Sequence, residues 1–376
     1  MISAARIKKN LFNIPGWRTN RKIVVFESDD WGSIRMPSKE VYNALLKEGI
    51  RVDLCPYNKY DNLASNEDLE YLFNTLTKYT DSKGNHPVFT ANTNVANPDF
   101  NKISQGKFNK YYYEPFTDTL KRQFNNKNVF DTWKKGIQSG IFYPQLHGRE
   151  HVNPIIWMDL LRNNHFEVRK AYEHGTFGLS RITSPNIKKL HLAALLFSNL
   201  DEQKYIEKSI IEGANLFNSI FGYRSSSFIA PVYTWDSVLE STFKDVGIKY
   251  IQGGNSHKNT NMNTNQTYRV KRHYLGEKNN FDQRYLTRNV FFEPSLTKDF
   301  KVEKALKDIE IAFRWKKPAI ISSHRVNFIG SLDSNNRDKN LVLLEKLLES
   351  IKKKWPMVEF MSSDKLGRII EKGKIK

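Results

Sequence analysis

The chain has 376 residues, of which 39% are hydrophobic and 13% aromatic, enough to bury a substantial core and too much for a disordered segment. Lys and Arg number 59 against 40 Asp and Glu, a formal charge of +19, yet the cations are scattered among asparagines and carry no helix-turn-helix, zinc-finger or RNA-recognition signature. No nucleic-acid partner is therefore expected, and an anionic glycan, a sugar nucleotide or an acidic membrane surface would satisfy the same charge.

The first segment, residues 1–21, reads as a basic extension. It lacks the apolar stretch of a secretory signal, and no ~20-residue apolar span follows anywhere, so a cytoplasmic protein is expected. Residues 7–17 mix basic and bulky apolar side chains, which allows peripheral contact with an anionic membrane face. Cys55 is the single cysteine, so no internal disulfide forms.

From residue 22 onward, short β-rich runs alternate with helical spacing. Strands are expected at 22–26, 87–91, 142–146, 227–230, 249–252, 289–292, 319–322 and 358–361. Helices are expected at 39–47, 66–78, 154–163, 203–221, 235–246, 301–315 and 339–355, from apolar residues recurring every 3.6 positions. This alternation predicts a barrel-like α/β architecture. Residues 97–127 and 255–266, rich in Asn, Tyr, Lys and Thr, read as loops, and 166–200 as a partly helical insertion. No linker composition stands out, so one domain spanning 22–366 is expected, with insertions near 97–127, 166–200 and 255–285 and a basic tail at 367–376.

Polar residues gather after the strands, where a barrel's catalytic loops converge. Asp29 and Asp30 follow the first strand and Asn92 and Asn94 the second, while His147, Arg149, Glu150 and His151 follow the third. Pro231, Tyr233 and Asp236 come after the fourth; Glu293 follows residue 292, and His324 and Arg325 follow 319–322. Two histidines and an aspartate fill three positions of a divalent ion such as zinc and leave one open for water or substrate. The second aspartate, unligated, is then free to act as a general base. Neighbouring side chains on a strand point to opposite faces, so a turn beginning at Trp31-Gly32 is expected to bring both carboxylates to one rim.

These segments resemble the polysaccharide deacetylases of the NodB-like carbohydrate esterase group. Glu27-Ser28-Asp29-Asp30-Trp31-Gly32 is similar to that family's first motif, Thr-Phe-Asp-Asp-Gly, with one residue inserted before the glycine. His147-Gly148-Arg149-Glu150-His151 resembles the second, Ile229-Ala230-Pro231-Val232-Tyr233 part of the third (Arg-x-Pro-Tyr), and Ile320-Ile321-Ser322-Ser323-His324 the last. The resemblance implies a distorted (β/α) barrel of about seven parallel strands. It also implies Asp29 as base, Asp30, His147 and His151 as ligands of a divalent metal, most of all zinc, and His324 as general acid. A backbone N–H near Val232 or Tyr233 would meet the oxyanion. The third-motif arginine is missing, with Arg149, Arg224 and Arg325 as substitutes, and Asp236 or Glu293 would replace the aspartate that supports the acid histidine. Substrate contacts are expected from Trp31, Asn94, Arg149, Pro231, Tyr233 and Arg325, with Trp31 and Tyr233 stacking on a sugar ring.

The implied activity is metal-assisted removal of an acetyl group from an N-acetylated sugar or glycan. Two rivals remain at this point: hydrolysis of a small non-sugar amide or O-acetyl ester on the same fold, and a non-catalytic glycan- or nucleic-acid-binding module. The presence together of Asp29, Asp30, His147, His151 and His324 argues against the latter.

Overall fold

The computed structural model describes residues 4–188, 190–260 and 268–373. Its main sheet is parallel throughout, built from β1 (Lys22–Trp31), β2 (Phe89–Thr93), β3 (Phe142–Leu146), β4 (Ser227–Ile229), β5 (Tyr250–Gly253), β6 (Arg284–Thr287), β7 (Val290–Phe291), β8 (Ala319–His324) and β9 (Val358–Phe360). The strand order is β6-β5-β4-β3-β2-β1-β8-β7, with β9 beside the start of β1. Only Arg288 and Asn289 separate β6 from β7. Their N–H groups donate to Gly253 O at 2.8 Å and to Ile320 O at 3.1 Å, so the two ends of the ladder are one continuous run. The architecture is α/β, a distorted barrel in which that run is one of seven staves.

Local sequence explains the staves and their cover. β1 opens on Ile23-Val24-Val25-Phe26, all buried, as expected of a parallel strand covered on both faces. The helix Asn66–Thr77 starts from a capping box between Ser65 and Asp68 and buries Leu69, Leu72, Phe73 and Leu76 on one face. Phe26 stacks on Phe89 at 5.2 Å between ring centres in the apolar layer between staves and helices. The barrel interior differs in character. Asn92 donates to Gln252 at 2.8 Å, Gln252 to Ser227 at 2.7 Å and Ser227 to Gln145 at 2.8 Å, and all four side chains are fully buried. Barrel cores are commonly layered with Val, Ile and Leu; here the same staves bury Ile23, Val25, Leu286 and Ile320 in one apolar cluster, and hydrogen bonds fill the remaining part of the interior.

Several expectations are corrected. Residues 97–127 are not a loop: the antiparallel pair Ala96–Pro98 with Tyr113–Pro115 and the helices Phe100–Gln105 and Phe116–Gln123 occupy them. Within 255–266, Ser256–Thr260 pairs with Tyr268–Arg272, and the intervening 261–267 lie outside the described residues, as do 1–3 of the extension and 374–376 of the tail. The helix expected at 235–246 is a 3-10 turn, Ser237–Leu239, continued by the shorter helix Glu240–Asp245. The insertion after residue 166 is partly helical as expected, with the helix Phe166–Glu173.

Candidate metal centre and acid-base pair

The end of β1 places two adjacent carboxylates with a bulge, followed by the turn expected at Trp31-Gly32, in which the Ser33 N–H donates to the Asp30 carbonyl at 3.2 Å. The strand continues to Trp31, but its register against β2 moves from Ser28↔Ala91 to Trp31↔Thr93, one residue more on β1 than on β2. Asp29 and Asp30 thus form a β-bulge, with Asp30 in the left-handed region at φ 73°. Alternation is broken there, and both carboxylates reach the rim. Gly32 follows at φ 80°, and a Cβ on it would lie 2.2 Å from the Asn94 carbonyl, so no other residue fits.

Asp30 Oδ1 lies 3.4 Å from His147 Nε2 and 3.2 Å from His151 Nε2. Among the described residues this is the one group of three or more potential ligands close enough to share an ion. Ligands at about 2.05 Å from a tetrahedral ion stand about 3.3 Å apart, so the spacing fits. His147 Nδ1 sits 2.8 Å from the Ile229 carbonyl, which fixes its proton there and leaves Nε2 a lone pair. Burial, then the nearby Arg35, pushes the His151 imidazole down to about 4, so it is neutral at pH 7. Burial would raise the Asp30 carboxyl, but Arg35 and the histidines outweigh it and hold it well below the usual range; the Arg35 guanidinium bonds Oδ2 at 3.0 Å.

Asp29 faces a different set of partners. Arg288 donates to both its oxygens at 2.7 Å, Asn92 adds a bond of 2.8 Å, and the other side of Arg288 donates to Glu27 at 2.6 Å. Ser363 Oγ, 2.6 Å away, holds the far oxygen of Glu27. Burial alone would raise the Asp29 carboxyl; the guanidinium reverses that and keeps it ionised. Asp29 is paired in register with His324, whose Nε2 lies 3.6 Å from Asp29 Oδ2. His324 Nδ1 bonds Glu293 at 2.7 Å, and Asn327 holds the other Glu293 oxygen at 2.9 Å. Burial works to lower the His324 pKa, but Glu293 and the aspartates raise it to about 9, so the ring carries a proton at neutral pH. Its side chain is 19% exposed against 4% for Asp29, so it faces outward at the mouth.

The arginine that clamps Asp29 is Arg288, at the bend between β6 and β7, and none of Arg149, Arg224 and Arg325 does so. Arg149 pairs with Glu150 and Glu212, Arg325 clamps Asp61 at 2.9 and 3.0 Å, and Arg224 is exposed. Buried in these pairs, Arg149 and Arg325 do not reach a substrate. Glu293, not Asp236, supports His324; Asp236 caps the turn at Val238. Trp31 is 1% exposed, bonded to Ser28 and packed edge-on against Phe142, so it is core and stacks on no sugar. Asn94 is buried and donates to the His147 carbonyl at 2.7 Å, holding a ligand strand and not a substrate. Pro231 is buried beside Gly148. Tyr233 remains at the mouth, its hydroxyl accepting from Arg288 at 3.0 Å, while its N–H donates to Ala230 O and is not free for an oxyanion.

Besides Arg288, two residues of the site carry no signal in the sequence. Arg35 lies five residues after Asp30 in a segment without strand or helix pattern. Tyr57, on the short helix Pro56–Tyr60, sets its ring edge-on to His324 at 5.5 Å, with the Arg35 guanidinium 5.6 Å from its centre. The signal for Arg288 is its place just after the strand Arg284–Thr287.

No family model matches the chain, and no curated protein matches its sequence. Solved structures of similar chain path include a polysaccharide deacetylase candidate from Pseudomonas aeruginosa PAO1, 10% identical at TM-score 0.46 over 94% of this chain and 92% of that one. Another is a candidate of the same description from Mycobacterium smegmatis, 8% identical at TM-score 0.44 over 96% and 94%. The Puue allantoinase is likewise similar, 10% identical at TM-score 0.45 over 96% and 95%. Likeness this distant carries no assignment of activity, which rests on the site itself.

Proposed function

We propose that this chain is a metal-dependent hydrolase that removes the acetyl group from an N-acetylated sugar or glycan. The observation that carries the reading is the arrangement on one rim: three ligand atoms at metal spacing, an unligated aspartate beside them, and a protonated histidine paired with that aspartate across the β1–β8 ladder. Asp30, His147 and His151 would hold the ion. When bound, a divalent ion with this nitrogen and oxygen donor set, zinc first among them, supplies Lewis acidity toward a carbonyl and toward water.

The chain's own groups then divide the proton work. Asp29, kept ionised and oriented by Arg288, accepts the proton of the attacking water. His324, kept charged by Glu293, donates to the departing amine, a poor leaving group without that proton. Base and acid thus have opposite protonation states at the same pH, each set by its own buried partner. Tyr233 and Tyr57 stand at the mouth, where an aromatic face suits a sugar ring.

The test pairs metal content of the purified chain with acetate release from a panel of N-acetylated and O-acetylated sugars and a small non-sugar acetamide. Stoichiometric zinc with release from an N-acetyl sugar is expected. Metal-loaded protein inactive on every N-acetyl sugar yet active on the acetamide or ester would replace the substrate class.

A further inference from the structure

The helix Ala4–Phe12 leaves an apolar face uncovered. Ile7 is 50% exposed and Leu11 59%, and their spacing of four places them in one row on the helix; Ile14, 39% exposed, follows in the turn just past its end, its N–H donating to the Leu11 carbonyl. The same helix is anchored on its other side. Asn10 receives a bond from Trp315 at 2.8 Å, Asn13 one from Asn289 at 3.0 Å, and Lys9 pairs with Asp308. The exposed row is thus held outward by a fixed support.

The charges that the segment itself carries have one sign. Residues 1–21 contain Arg6, Lys8, Lys9, Arg18 and Arg21 and no acidic residue. Lys8 and Arg18 are exposed, and neither has an acidic partner within 4 Å among the described residues. Exposed aliphatic side chains flanked by cations suit an interface of acyl chains and anionic headgroups.

Direction matters as well. Asn13 contacts Asn289, Lys9 lies 5.9 Å over the half-exposed ring of Phe291, and Glu293 comes two residues further on. The helix therefore runs against the direction of β7, with its N-terminal end toward the rim that holds Glu293 and His324.

We propose that the row Ile7, Leu11 and Ile14 with its flanking cations docks the protein on an anionic membrane surface, on the flank where the catalytic rim opens. Charge complementarity argues for lipid over a second copy of this chain, whose matching face would carry the same positive charge. This docking is independent of the chemistry at the rim.

Sedimentation with vesicles tests it, comparing phosphatidylcholine alone with phosphatidylcholine containing about 30% phosphatidylglycerol, a strongly anionic surface. The full chain should bind the anionic vesicles at least about ten-fold more than the neutral ones, and Ile7→Glu with Leu11→Glu should remove that binding, as charge reversal of exposed apolar anchors does. Lys8→Glu should weaken it several-fold. Circular dichroism and metal content, unchanged in the variants because these side chains are exposed, separate lost docking from lost fold. Equal binding by the double variant would overturn the proposal, as would absence of binding to either vesicle. A dimer in size-exclusion chromatography that the double variant dissociates, without vesicle binding, would give the face to a second copy.

Discussion

Asp29 and Asp30 are chain neighbours, and each is neutralised by a buried arginine, yet the two arginines come from opposite ends of the sequence. Arg35, five residues from Asp30, bonds one carboxylate oxygen and leaves the other facing two histidines. Arg288, 259 residues from Asp29, takes both oxygens and so keeps this carboxylate from turning toward the histidines. A ligand needs one oxygen free, and a base needs a fixed orientation and a charge. Under the proposed chemistry, two identical residues on one bulge thus acquire different roles from how many oxygens their arginine occupies.

The largest expected effect breaks the metal half. His147→Ala or Asp30→Asn should lower bound metal below one tenth of wild type and abolish acetate release, because three protein ligands leave none to spare; elemental analysis beside turnover decides it. Asp29→Asn should lower kcat by ~10²- to 10⁴-fold while metal stays bound, since it removes a proton acceptor and no ligand. Metal loss in that variant would show that the two aspartates have exchanged roles.

Removing Arg288 attacks the comparison at its centre. Arg288→Gln leaves Glu27 and Asp29 buried without their cation, and breaking a buried pair in this way costs about 3–5 kcal/mol; urea denaturation should show it. Arg288→Lys keeps the charge but not the fork, so it should recover part of the stability and little of the kcat.

The acid half yields a smaller, pH-dependent effect. Because Glu293 raises His324 to about 9, the protonated donor predominates below that value and is lost as pH rises through it. Activity should therefore decline on the alkaline side near pH 9. Glu293→Gln should move that decline toward the ordinary histidine range near pH 6.5 and lower the rate at pH 8 by about ten-fold or more. An unmoved alkaline limb would mean that another group sets it. The same variant should leave metal content unchanged.

Legibility in the sequence followed the distance over which a residue's partner lies. The β1 run, the His147-His151 pair and the β8 run ending at His324 could be read directly, because an apolar strand and the polar residue that ends it are continuous in the chain. Helix 39–47 was likewise legible from its apolar spacing. The stave Arg284–Thr287 was not, since its Arg-Tyr-Leu-Thr is short and half polar, and with it went the position of Arg288. Trp31 misled for a related reason: an aromatic next to a catalytic motif reads the same whether it faces a substrate or, as here, Phe142 and Trp133.

By itself the sequence determined the alternation of strands and helices, the residues that end the strands and so the chemistry present at the rim, because these depend on local periodicity and side-chain type. Only the tertiary structure decided which arginine meets which aspartate, that Glu293 and not Asp236 stands behind His324, and that part of the barrel's interior is hydrogen-bonded. Those are pairings between staves, where separation along the chain carries no information about separation in space, and where the added residue of one bulge decides which way a carboxylate points.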